Sequence, residues 1–162
     1  MVWSDNVNTA PERWDWIGYG HTDRGLVRST NQDAFLVDNR RRLWAVADGM
    51  GGHPGGDVAS RIVMDTLADF SPTLLHSSEN PDEDYTGQQS FLLTTMAEQA
   101  HAAVRAYADR HPSFYGMGTT LVMAHLMTLP APRLLVLNVG DSRAYLVRAG
   151  HTTQLTRDHT LV

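Results

Sequence analysis

A chain of 162 residues with 42% hydrophobic and 19% charged side chains has enough apolar matter for one core and too little length for two ordinary domains, which excludes disordered and fibrous classes. Thirteen Lys and Arg against eighteen Asp and Glu leave a net charge of -5, so no global basic field draws the protein to nucleic acid or to anionic membranes. Cysteine is absent, which removes disulfides, thiolate metal sites and cysteine-nucleophile phosphatase chemistry, and agrees with a reducing cytoplasm.

Residues 1–15 read as a polar tail without the apolar stretch of a signal peptide, and residues 16–162 as one domain. Nowhere does an apolar run approach the roughly 18 residues of a membrane span, so the expected location is the cytoplasm. Two short apolar runs, 33–37 and 43–47, flank Asn39-Arg40-Arg41-Arg42 and predict a hairpin. The basic triplet is most simply a solvated turn, with a phosphopeptide contact as the alternative. A glycine-rich stretch from Asp48 to Gly56 follows, and then an amphipathic helix with Val58, Ala59, Ile62, Val63, Leu67 and Phe70 on its apolar face. Residues 71–88, with Pro72, Pro81 and Gly87, read as a linker or surface loop. A second helix is expected over about 90–109, where Leu93, Met96, Ala97, Ala100, Val104 and Tyr107 recur at helical spacing. The period then changes to that of strands at 119–127, 133–139, 143–147 and 152–155, an antiparallel meander. Strand pair, two helices and further strands give an α+β fold with helices packed on sheets.

Several residues could carry chemistry. Asp48 ends an apolar strand ahead of glycines that let a ligand approach the backbone, so its carboxylate could hold a hard cation; taken alone, it also reads as the opening of a turn. Nothing like Gly-Lys-Ser/Thr follows Gly56, which argues against a phosphate-binding nucleotide loop. Arg28 stands five residues before Asp33, and its planar fork suits two phosphate oxygens, although a surface Arg-Asp pair has the same spacing. Asp141, in Gly140-Asp141-Ser142-Arg143, is a second acid at a strand end or an ordinary hairpin aspartate. Asp158-His159 reads as a polar loop rather than a ligand pair. The eight histidines lack zinc-site spacing, and only His53 in the glycine loop is kept as a group supporting a site.

In this order, four blocks resemble the type 2C (PPM) metal-dependent serine/threonine protein phosphatases, in their bacterial branch: Gly25-Leu26-Val27-Arg28 with Asn31-Gln32-Asp33, Ala45-Val46-Ala47-Asp48-Gly49-Met50-Gly51-Gly52-His53, Gly116-Met117-Gly118-Thr119-Thr120, and Val139-Gly140-Asp141-Ser142-Arg143. The resemblance covers about residues 17–162. It implies an antiparallel β-sandwich flanked by helices, four layers in the order αββα, with Mn²⁺ or Mg²⁺ ions at one end of the sheets. By the same resemblance Asp48 bridges two metals, Gly49 lends a carbonyl oxygen, Asp33 and Gln32 lie beside metal-bound waters, Asp141 belongs to a third metal and Arg28 grips the phosphate. Arg28 and Asp48 are then the catalytic pair, and Asp33, Asp48, Gly49 and Asp141 the metal set.

The implied activity is hydrolysis of phosphoserine and phosphothreonine on proteins by a metal-activated water, with phosphorylated proteins as substrates and a cognate kinase as the opposing partner. Two substitutions depart from the family pattern: Met50 stands where many members carry a histidine acid, and Gln32 replaces a glutamate. The family pattern also continues to an Asp-Gly and an Asp-Asn block that complete the metal cluster, and neither follows Asp141 in these 162 residues. The chain is therefore expected to be the N-terminal part of such a domain, incomplete at its C-terminus and inactive by itself. The alternative is a non-catalytic relative that binds phosphoproteins or a partner.

Overall fold

A computed structural model describes residues 16–50, 55–74, 84–128 and 131–159, so the expected tail at 1–15 and His53 lie outside the described residues. Strand β1 (Asp33–Asp38) and strand β2 (Leu43–Asp48) pair antiparallel, with Asp33 opposite Asp48 and Asp38 opposite Leu43. Alternation fixes this register: Leu43, Ala45 and Ala47 are buried on one face, and a slip by one residue would expose all three. The connecting turn is closed by Arg41 N–H donating to Asp38 Oδ1 at 3.0 Å. The basic triplet is not uniformly solvated, since Arg42 is half-buried with a positive φ of 54° and its carbonyl accepts Leu126 N–H at 3.0 Å.

Helix α1 (Gly56–Phe70) returns over this hairpin and packs on helix α2 (Thr86–Arg110). Ala59, Val63 and Leu67 repeat every four residues on α1, and Leu93, Met96, Ala100 and Val104 follow helical spacing on α2. These stripes meet Leu43, Ala45, Ala47, Leu121 and Met123 of the sheet in one core. Each fully buried large side chain there stabilises the fold by about 1.5–3 kcal/mol relative to exposure. Helix α2 begins one turn earlier than its apolar periodicity predicts. Asp84 Oδ1 accepts Thr86 N–H at 2.9 Å, and Arg133 Nη1 donates to Asp84 Oδ2 at 2.8 Å and to Thr86 Oγ1 at 2.6 Å, so a contact from a distant strand pins the first turn.

Strands β3 (Leu121–Met127) and β4 (Arg133–Val139) complete a four-stranded sheet in the order β1-β2-β3-β4, antiparallel throughout. The expected meander stops there. Strands β5 (Tyr145–Arg148) and β6 (His151–Gln154) pair with each other in a separate two-stranded sheet. The break falls at Gly140, whose φ of 100° turns the chain and whose missing side chain leaves room for Thr120. Beyond it Ala144 N–H donates to Thr156 Oγ1 at 3.1 Å rather than to a neighbouring strand, and Arg143, Ala144 and Tyr145 share a cavity with Phe35, Trp44 and Val122 on the sheet face away from the helices. Helices, a four-stranded sheet and a second sheet give the expected α+β class. No described helix is long and apolar enough to cross a membrane.

Candidate active site

Antiparallel pairing puts Asp33, the first residue of β1, directly opposite Asp48, the last of β2, with both side chains exposed at one end of the sheet. Both share strand parity with Phe35 and Val46, so they belong to the face away from the helices. Asn31 sets the start of β1: its Oδ1 accepts Asp33 N–H at 3.0 Å while its Nδ2 donates to Thr22 Oγ1 at 2.8 Å. Asp48 is held from the other side. Its N–H donates to Thr120 Oγ1 at 3.0 Å, its carbonyl accepts Thr120 N–H at 2.9 Å, and Thr120 Oγ1 lies 2.6 Å from Ser142 Oγ. This last contact ties Asp141, next in chain to Ser142, to the same end of the sheet.

Gly49 has a steric reason to be glycine. It is buried, its N–H donates to the Gln32 carbonyl at 3.1 Å, and a Cβ there would run into the Gly56 carbonyl and into Gln32. The start of α1 therefore lies against the end of β2, and Met50 N–H reaches the Gly118 carbonyl at 2.9 Å.

Electrostatics single out Asp48. Although exposed, its carboxyl is pushed above the ordinary carboxylate range first by the partial loss of water around it, then by the charge of Asp33 and a hydrogen bond with it, then by Asp141, while Arg28 acts in the opposite direction. Arg28 lines a cavity of about 170 Å³ together with Asn31, Gln32, Asp33 and Asp48, and among the described residues its guanidinium has no hydrogen-bond partner. A second cavity, about 320 Å³, is also lined by Asp33 and Asp48, together with His21, Thr22 and Ser142.

The sequence-predicted residues thus divide. Arg28, Asp33, Asp48, Gly49 and Asp141 converge, whereas Asp158, read from the sequence as part of a polar loop, binds Arg143 through a fork, with Nη2 to Oδ2 at 2.6 Å and Nε to Oδ1 at 2.9 Å, and serves to fasten the chain after β6. Among the described residues no three His, Cys, Asp or Glu side chains close around one point tightly enough to enclose a metal. Asp33, Asp48 and Asp141 share a field rather than a cage. Sequence reasoning gave no role to Thr120 and Ser142; the trace it could have used is a Thr pair opening an otherwise apolar strand.

With this geometry in place, the sequence match is decisive: residues 17–160 fit the family described as protein phosphatase 2C. The chain belongs to that family. Among relatives in the phosphatase 2C family, it is 38% identical over 141 residues to the serine/threonine protein phosphatase PstP of Mycobacterium tuberculosis H37Rv, covering 87% of this chain and 24% of that protein. It is 37% identical over 146 residues to the serine/threonine phosphatase stp of Listeria innocua, covering 87% of this chain and 54% of that protein. The crystal structure of the PstP catalytic domain in complex with two manganese ions superposes with a TM-score of 0.67 at 37% identity, over 86% of this chain and 54% of that one. This chain spans about half or less of the length of the relatives it matches.

The residues present fit the divalent ions of the phosphatase 2C family. Gln32 Oε1 is buried with no hydrogen-bond partner among the described residues, and Gln32 lines the same cavity as Asp33 and Asp48. Beside it stand two opposed carboxylates that repel each other without a cation, and every donor in the set is oxygen, the preference of Mg²⁺ and Mn²⁺.

Proposed function

We propose that this chain is part of a phosphatase that hydrolyses phosphoserine and phosphothreonine on proteins with the help of bound Mn²⁺ or Mg²⁺. The observation that carries this reading is the Asp33–Asp48 pair at the sheet end, coupled to Asp141 and sharing a cavity with Arg28. Asp33, Asp48 and Asp141 together with the Gly49 carbonyl would hold such ions, with Gln32 beside them in the same cavity as Asp33 and Asp48. Bound there, such ions lower the pKa of water and offset charge on the phosphoryl group, which the very slow uncatalysed hydrolysis of phosphate monoesters requires.

The chain's own residues orient the substrate. The Arg28 fork matches two phosphoryl oxygens, a contact that a lysine cannot reproduce. Asn31 and Thr120 fix the backbones of Asp33 and Asp48, so the carboxylates are held before substrate arrives. Met50 is half-exposed at the site and its thioether carries no proton to give a leaving alkoxide. Phosphorylated proteins are the substrates of this reading, and a serine/threonine kinase acting on the same proteins is the opposing partner.

The test uses the full-length gene product with a phosphothreonine peptide. Hydrolysis in Mn²⁺ is expected to stop in excess EDTA; activity that persists in chelator overturns the metal chemistry. Arg28→Ala is expected to raise KM by roughly 10- to 100-fold, the worth of a lost charge-assisted contact, whereas Asp48→Asn abolishes turnover with the loss of metal. Peptide binding without hydrolysis by the unaltered full-length protein would instead identify a phosphoprotein-binding module.

A further inference from the structure

Leu26 and Val27 are the most exposed large hydrophobic side chains in the described structure, at 104% and 95% of full exposure. They are not loose ends of chain. Gly25 takes a positive φ of 72°, its N–H donates to Asp23 Oδ1 at 2.7 Å, and Arg24 Nη1 reaches the Ser29 carbonyl at 3.5 Å, so the loop is closed from within and its tip is turned outward. The next residue is Arg28, which shares a cavity with Asp33 and Asp48. Asp23 and Arg24, on the inner side of the loop, line the same cavity.

We propose that Leu26 and Val27 form an apolar contact that reads a side chain flanking the phosphorylated residue of a protein substrate. This rests on the reading of Arg28 as the phosphate-binding arginine. Consecutive Cα atoms lie about 3.8 Å apart, so the tip stands within about 8 Å of the Arg28 backbone. An extended peptide advances about 3.3 Å per residue, which brings the residue one or two positions from the phosphorylated one over this tip. The occupant that fits is an aliphatic or aromatic side chain, because Leu26 and Val27 offer neither a charge nor a hydrogen bond. An acidic or hydroxylated neighbour would gain nothing there.

The experiment measures binding, by fluorescence anisotropy in Mn²⁺, of non-hydrolysable phosphonate analogues of phosphothreonine peptides that carry leucines or serines at the two flanking positions. The full-length gene product is expected to bind the leucine peptide roughly tenfold tighter, the worth of one apolar contact. Leu26→Ser with Val27→Ser is expected to erase that difference while leaving the serine peptide, and competition by inorganic phosphate, unchanged. Equal affinity for the two peptides, or an equal loss on both in the variant, overturns the proposal. Failure of either peptide to bind or of phosphate to compete removes the reading of Arg28 itself, and is told apart by that competition. Should the double variant unfold, Leu26→Thr alone provides the same comparison, and a thermal midpoint lowered by that change would show that the tip packs within the protein, against the proposal.

Discussion

Asp33 and Asp48 face each other across an antiparallel pair, where opposed side chains have Cβ atoms about 4.5–5.5 Å apart and like charges destabilise the sheet. In the metal-free protein partial desolvation raises the Asp48 pKa, and the charge and hydrogen bond of Asp33 raise it further. Between the ordinary carboxyl value and the raised one, the folded chain holds more protons than the unfolded chain, so this residue's contribution makes metal-free stability fall as pH rises through that window. A divalent cation acts in the opposite sense, because it binds the deprotonated carboxylate. Asp33→Asn is expected to move the Asp48 titration to lower pH in chelated protein, read from the side-chain carboxyl ¹³C shift. A midpoint that stays in place or rises would show that the two acids are not coupled.

The end of β2, the start of α1 and the start of β3 meet with almost no spare volume. Gly49→Ala would press a methyl group against the Gly56 backbone, and an overpacked contact of this kind costs roughly 1–3 kcal/mol, to be read from the urea midpoint. Thr120→Val keeps the shape and loses the hydroxyl that accepts Asp48 N–H and meets Ser142. The Asp48 N–H and the Ser142 hydroxyl both lose a partner in this change, at about 0.5–1.5 kcal/mol for each hydrogen bond, so it is expected to destabilise more than Ser142→Ala, which removes only the second. It should also weaken Mn²⁺ binding, because Asp48 is then less firmly placed. Equal stability losses in the two variants would show that the Thr120 hydroxyl does not hold Asp48.

For the molecule as a whole, the sheet is covered on one side only by helices. On the other face Phe35, Val46 and Leu134 remain 38%, 48% and 47% exposed, and in the second sheet Tyr145 and Val147 stand at 49% and 69%. Strands β1 and β4 are the outer strands of the four-stranded sheet, and among the described residues no strand pairs with their outer edges. A contiguous apolar face with open edges favours self-association, so the 162-residue polypeptide is expected to sediment with a concentration-dependent coefficient. Phe35→Ser combined with Val46→Thr should shift it toward monomer. A single monomeric species at all concentrations would mean that this face is covered in solution.

What the sequence determined by itself was whatever depends on neighbours along the chain. Short apolar runs placed β1 and β2, a change to strand period placed β3 to β6 within about two residues, helical spacing placed both apolar stripes, and four short blocks in order pointed to the phosphatase 2C family and to Arg28, Asp33, Asp48, Gly49 and Asp141. The tertiary structure decided what depends on residues far apart. Asp33 became the opposite number of Asp48 through strand register, and Thr120 became its anchor across 72 positions of sequence. Helix α2 gained its first turn from Arg133, 49 positions from Asp84, and the expected meander divided into two sheets at Gly140, where Thr120 fills the space that a side chain would need. Periodicity records which face of an element is apolar. It carries no record of which partner that element meets, because pairing is chosen by the packing of the whole core.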